Sequence, residues 1–168
     1  MKEAIILNHI IQQLLEIQNG KLWMGDTFQK KIGYITDEEA FLRPLPNLHS
    51  AAELIAHLTA WRKDAMLKIK KGRGQLMDYS PQNWPAIDEL RKTGWSRLIL
   101  EYQDSLDEII ELLHNKNDGF LEEYYEDQDY QDHYNYSFLI NGLLHHDLYH
   151  LGQLGIVIKL IKESKSGP

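Results

Sequence analysis

The order of apolar and polar positions divides the chain into four long segments with a helical period. In residues 3–17, Ile6, Ile10, Leu14 and Ile17 fall on one face, and Gly20 follows as a stop. A second helix opens at Ser50-Ala51-Ala52-Glu53, a capping box in which hydroxyl and carboxylate satisfy each other's backbone donors. Its apolar stripe is Leu54, Leu58, Trp61 and Ala65, with His57 beside it. The third begins near Pro85, has Asp88 and Glu89 in its first turn, and continues through Leu90, Leu98, Tyr102, Leu106, Ile109 and Leu113. The fourth starts between Asn135 and Ser137 and runs to about Lys162. A short helix is predicted after Thr36, where Thr36-Asp37-Glu38-Glu39 is another capping box, ended by Pro44 and Pro46. No window sustains the period-two alternation of a strand. The expected fold is all-α: a four-helix bundle with a short extra helix and long connections at 18–49, 72–84 and 115–135. The 168 residues suit one domain, 1–168, with a self-supporting core.

One irregularity interrupts the apolar stripes. In the fourth helix Leu139, Leu143, His146, His150 and Val157 share a face, so two imidazoles replace core residues. Residues four apart on a helix are neighbours, with Cβ atoms about 5–6 Å apart, and two such rings can hold one divalent ion. Burying them without partners would cost about 1–3 kcal/mol each. A metal ion offsets that cost, and so would ordinary hydrogen bonds.

Composition narrows the chemistry. With no cysteine, disulfides, thiolate metal sites and a thiol nucleophile from the chain are excluded. Nitrogen and oxygen ligands remain, and imidazole favours zinc, nickel, copper or iron. A formal net charge of −7 argues against nucleic acid, whose binding rests on neutralising phosphates. Lys68, Lys70, Lys71 and Arg73 read instead as the cationic end of the second helix, stopped by Gly72. The start Met1-Lys2-Glu3-Ala4 lacks the pattern of a signal peptide, and the tail from Ser164 to Pro168 is polar. No stretch approaches the roughly 18–20 apolar residues of a membrane span, so a soluble cytoplasmic protein is expected.

A catalytic zinc-type site takes three protein ligands and leaves one position open. Of the other histidines, His9, His49, His114, His133 and His145 lie at ends, in loops or off the stripe. His57 flanks the core stripe of a different long helix and is the best third candidate. It lies about 10 Å into its helix, against about 14–20 Å for His146 and His150, so parallel helices would bring the rings together. The entering segments, 44–49 and the acidic, tyrosine-rich 118–136, would then frame a mouth, the latter as a solvated loop or a partial lid.

The segments His49-Ser50-Ala51-Ala52-Glu53-Leu54-Ile55-Ala56-His57-Leu58 and His146-Asp147-Leu148-Tyr149-His150-Leu151-Gly152-Gln153 resemble those of the DinB/YfiT-like superfamily, whose members are assigned as metalloenzymes. The likeness follows the chain in order, and its most specific part is the terminal His-x-x-x-His-x-Gly-Gln element. It implies a four-helix bundle binding a divalent ion, nickel or zinc, through His57, His146 and His150, with homodimers common. It also implies either a metal-dependent hydrolase acting with water or a transferase or isomerase using an external low-molecular-weight thiol. A binding module that takes a small molecule without turnover, and a bundle with structural histidines, are the other classes.

The remaining residues carry weaker expectations. Gln153 is placed to hydrogen-bond an imidazole or a coordinated water, or to fill a packing gap. Glu53 is a candidate base, although its capping role accounts for it. Asp147 and Tyr149 lie off the ligand stripe, at the surface or a helix contact, and Trp61 reads as a core or pocket wall. Gly152 and Gly155, costly within a helix, suggest close approach of another backbone, from this chain or a dimer mate. Glu111-x-x-His114 and Asp147-x-x-His150 mimic a di-iron bundle's acid-x-x-His pairs but lack bridging glutamates.

Overall fold

Four long helices carry the core in the computed structural model, which describes residues 3–166. The readings of Met1-Lys2 and of Gly167-Pro168 lie outside the described residues. Helix α1 (Ile5–Asn19) buries Leu7, Ile10, Ile11, Leu14 and Ile17. Its inward stripe therefore takes Leu7, while Ile6, expected inside, is 59% exposed. Asp118 helps set this rotation, since its carboxylate accepts the N–H groups of Ile6 (3.2 Å) and Leu7 (2.9 Å) where Ala4 offers no side-chain cap. Two short helices follow: α2 (Phe28–Ile32), capped by Thr27, and α3 (Asp37–Ala40), which has the expected Thr36–Glu39 capping box. Only the second was foreseen.

Helix α4 (Ala51–Lys71) starts at the Ser50–Glu53 box and stops where Gly72 turns left-handed at φ 72°. The expected third helix is broken. Gly94, at φ 85° and ψ 148°, cannot continue a helix, so α5 (Ile87–Thr93) ends there and α6 (Trp95–His114) begins anew. After a 3₁₀ turn at Asp118–Glu122 comes a departure from the all-helical expectation. Strands β1 (Tyr124–Asp127) and β2 (Asp132–Asn135) form an antiparallel hairpin, pairing Tyr124 with Asn135 and Asp127 with Asp132. Burial in β1 does alternate, but over four residues, too few for a period to be legible. Helix α7 (Tyr136–Ser166) closes the chain.

Helix α4 packs against both α6 and α7, and α1 lies against α6 and α7. The fold is thus all-α apart from the hairpin. Tyr136 at the start of α7 donates its hydroxyl to the Lys68 carbonyl near the end of α4 (2.7 Å), whereas His146 meets the earlier His57. The two helices therefore run in opposite senses, not in parallel as the depth argument assumed. Between them lies a buried ion pair, Arg62–Asp147 at 2.6 Å. No helix among the described residues is long and apolar enough to cross a membrane.

Candidate metal centre

His57 stands on the seventh residue of its helix counted from Ala51, and the 78–84 segment fixes its ring. Its Nδ1 lies 3.1 Å from the Asn83 carbonyl oxygen, which can only accept, so Nδ1 carries the proton and Nε2 presents a lone pair. The Trp84 indole stacks on the imidazole with centroids 3.9 Å apart and planes within 9°. Asn83 is itself immobilised: its side-chain oxygen accepts the Trp61 indole N–H (2.8 Å), and its amide donates to the Asp78 carbonyl (2.7 Å). The opposite face of Trp84 carries His49, stacked at 3.7 Å.

His146 and His150 project from adjacent turns of α7 toward His57. The Nε2 atom of His146 is 3.0 Å from the Nε2 atoms of both His57 and His150. His150 Nδ1 meets the Gln153 side-chain oxygen at 2.7 Å, which places its proton there and leaves Nε2 free. Two ring nitrogens are thus lone-pair bearers aimed at a third. One proton on His146 Nε2 could serve only one of them, so hydrogen bonding alone leaves the trio incomplete. A divalent ion resolves it: nitrogens about 2.0–2.1 Å from a common ion, at tetrahedral to right angles, stand about 2.9–3.4 Å apart. The three ligand atoms lie within 4.8 Å of one another, and no Asp or Glu joins the group among the described residues.

The electrostatics agree with a neutral donor set. Burial pushes His146 down to about 3, helped by the neighbouring imidazoles and Arg62. Burial likewise takes His150 to about 4, and it lowers His57 against the opposing hydrogen bond to Asn83. Unprotonated imidazole is the form that binds metal.

A family model described as the DinB superfamily matches residues 23–154, a span that contains all three histidines and ends just after Gln153. The chain belongs to the DinB superfamily. Comparisons with curated proteins and with solved structures gave no match.

Within this DinB chain the other candidate residues take different places. Glu53 is held away from chemistry by Arg43, by the Ser50 N–H and hydroxyl, and by His49. Burial alone would raise its carboxyl, but these partners prevail and hold it at about 2, a poor base near neutrality. Asp147 is buried, not superficial; Arg62 and Gln18 (3.2 Å) bond one oxygen while the other has no hydrogen-bond partner among the described residues. That arrangement removes the di-iron pattern, because Asp147 faces Arg62. Gly152 and Gly155 meet no backbone of another element among the described residues: a Cβ on Gly152 would find open space, and one on Gly155 would meet the Lys31 side chain.

A cavity of about 400 Å³ opens beside the cluster, bounded by His57, Trp61, Tyr125, Phe138, Gly142 and His146. The 118–136 segment supplies one wall as a structured hairpin. Lys68 pins it: the ammonium, buried under Tyr125, bonds Asp127 at 2.8 Å and pairs with Asp64 at 3.1 Å. Lys68 is therefore more than a surface charge in the last turn. The 44–49 segment reaches the cluster through the stack of His49 on Trp84, which in turn covers His57. Sequence reasoning missed Asn83 and Trp84, which sit in a connection without periodicity. Their one signal is the indole itself, a costly side chain to leave in a polar loop.

Proposed function

We propose that this DinB protein is a divalent-metal-dependent enzyme whose His57, His146 and His150 hold a nickel or zinc ion with an open position facing the cavity, acting on a small molecule as a hydrolase. The single observation that carries the reading is the convergence of three Nε2 atoms, two of them with Nδ1 committed to acceptors. An ion held there supplies Lewis acidity, lowering the pKa of a coordinated water towards about 7 or holding an external thiol as thiolate. Asn83 and Gln153 keep the rings in the ligating tautomer, and Trp84 and Trp61 fix the His57 plane and exclude water from one side.

One observation favours the thiol alternative. No carboxylate joins the three imidazoles among the described residues, and Glu53 and Asp127 are both committed to cations. A thiol needs less help than water, because its intrinsic pKa, about 8.5, lies close to neutrality.

Metal analysis of protein purified without an affinity tag, followed by metal titration, tests the reading. The wild type retains about one ion per chain, and His57→Ala and His150→Ala lose it. Gln153→Ala weakens affinity by about 10–100-fold without unfolding the protein. Absence of metal from the wild type, or unchanged affinity in both histidine variants, refutes the site. A panel of esters and amides, set against electrophiles supplied with external thiols, then separates the two reactions.

A further inference from the structure

The cavity beside the histidines has a floor that its helix does not need to leave open. Gly142 lies one turn before His146 in α7 and lines the cavity, and a Cβ built on it would meet nothing within 4 Å. Glycine is disfavoured in a helix interior, and here no neighbouring atom among the described residues requires it. The missing methyl instead leaves space at the side of the cluster.

The chamber's remaining surfaces have a defined chemistry. Trp61, Tyr125, Tyr130 and Phe138 present aromatic rings, and Tyr130 and Phe138 are 63% and 48% exposed at the mouth. Four charged side chains line it: Asp78, Asp127, Asp129 and Lys68. Lys68 is already shared by Asp127 and the Asp64 behind it. Asp129 accepts the Asp78 N–H through one oxygen (2.7 Å), and Asp78 accepts from Asn83 through one oxygen (3.3 Å). Neither of these two carboxylates is in an ion pair with Lys or Arg among the described residues, and both stand at the aromatic mouth. Aromatic faces beside uncompensated carboxylates attract organic cations.

The geometry points to this chamber as the subsite for the non-reacting part of the substrate, a part that carries an alkylammonium group toward Asp78 and Asp129, with Gly142 providing the room. The inference rests on the proposed metal site, where the ion held by the three histidines would take the reacting end.

The test uses cobalt-loaded protein and thiols of equal chain length that end in an ammonium, a hydroxyl or a carboxylate, over a range of lengths. Cobalt uptake is read first from its visible spectrum, then thiol binding from the thiolate-to-cobalt charge-transfer band. Ammonium thiols of the fitting length bind about tenfold tighter than the hydroxyl series, and the carboxylate series binds weakest. Raised salt shrinks the preference. Asp129→Asn and Asp78→Asn keep an acceptor oxygen for their neighbours and bring the three series within about threefold of one another. Gly142→Ala raises the melting temperature and leaves cobalt uptake intact, yet weakens every thiol long enough to enter the chamber. Equal binding of the three series, a carboxylate preference, or unchanged thiol affinity in Gly142→Ala overturns the inference while leaving the metal reading standing. A protein that takes up no cobalt overturns both.

Discussion

Glu53 shows how one residue's chemistry is decided by its partners. In the sequence it could serve as an N-terminal cap or as a base four residues from His57. The structure gives it Ser50, Arg43 and His49, and its pKa falls from 4.5 to about 2. A carboxyl whose folded pKa is depressed stabilises the fold fully above its unfolded pKa and loses that contribution as pH falls through the folded value. Here the window runs from about 4.5 down to about 2. Glu53→Gln should therefore lower the melting temperature at pH 7 and flatten the wild type's acid decline within that window. Thermal melts from pH 7 to pH 2 on both proteins check it; parallel curves would refute the assignment. The capping half of this was legible, because Ser50 and Glu53 are local. Arg43 was not: nothing in its spacing indicates that a residue from the Pro44-containing turn folds back onto the helix start. The same divide separates Gln153, three residues from His150 on one helix, from Asn83, which reaches His57 from a connection.

At the level of elements, α4 and α7 are joined by more than apolar packing. Arg62 and Asp147 are each 1% exposed, with the guanidinium over the Tyr102 ring at 4.1 Å and bonded to the Tyr102 carbonyl and hydroxyl. Removing one member of a buried pair leaves an uncompensated charge, whereas replacing both with apolar residues of similar volume is often neutral or stabilising. Asp147→Ala should cost about 3–5 kcal/mol, and Arg62→Met combined with Asp147→Leu should recover most of it. Denaturant unfolding measures both, and equal destabilisation of single and double variants would show that the pair has an energetic role beyond mutual neutralisation. Because Asp147 adjoins His146, this pair also anchors the stretch of α7 that carries the histidines. Sequence periodicity put Asp147 off the ligand stripe correctly, but it left surface and helix contact equally open. The long-helix positions were legible from capping boxes and stripes. The break at Gly94 was signalled only by one glycine inside an otherwise unbroken stripe. The direction of α4 relative to α7 was not legible, because spacing within helices carries no information about how they are connected in space.

For the whole molecule, the outer face of α7 poses the remaining question. Leu148, Tyr149, Gly152 and Ile156 follow one another at helical spacing, and the three side chains are 37%, 64% and 58% exposed. Gly152 costs α7 about 1 kcal/mol relative to alanine, and no atom of the described residues outside its own helix turn occupies the space its missing Cβ leaves. An exposed apolar stripe with a glycine at its centre lets a second helix approach closely, and a two-fold axis through such a stripe would make it self-complementary. The expectation is a homodimer joined through α7. Sedimentation of the wild type at micromolar concentrations should then give a dimer. Ile156→Asp should give a monomer that still binds one metal ion per chain, since Ile156 lies outside the histidine group. Gly152→Ala separates the two roles of that glycine: it should raise monomer stability through helix propensity while weakening association by holding the helices apart. A wild type that sediments as a monomer, or an Ile156→Asp variant that remains dimeric, would exclude α7 as the contact and leave Gly152 without a physical reason.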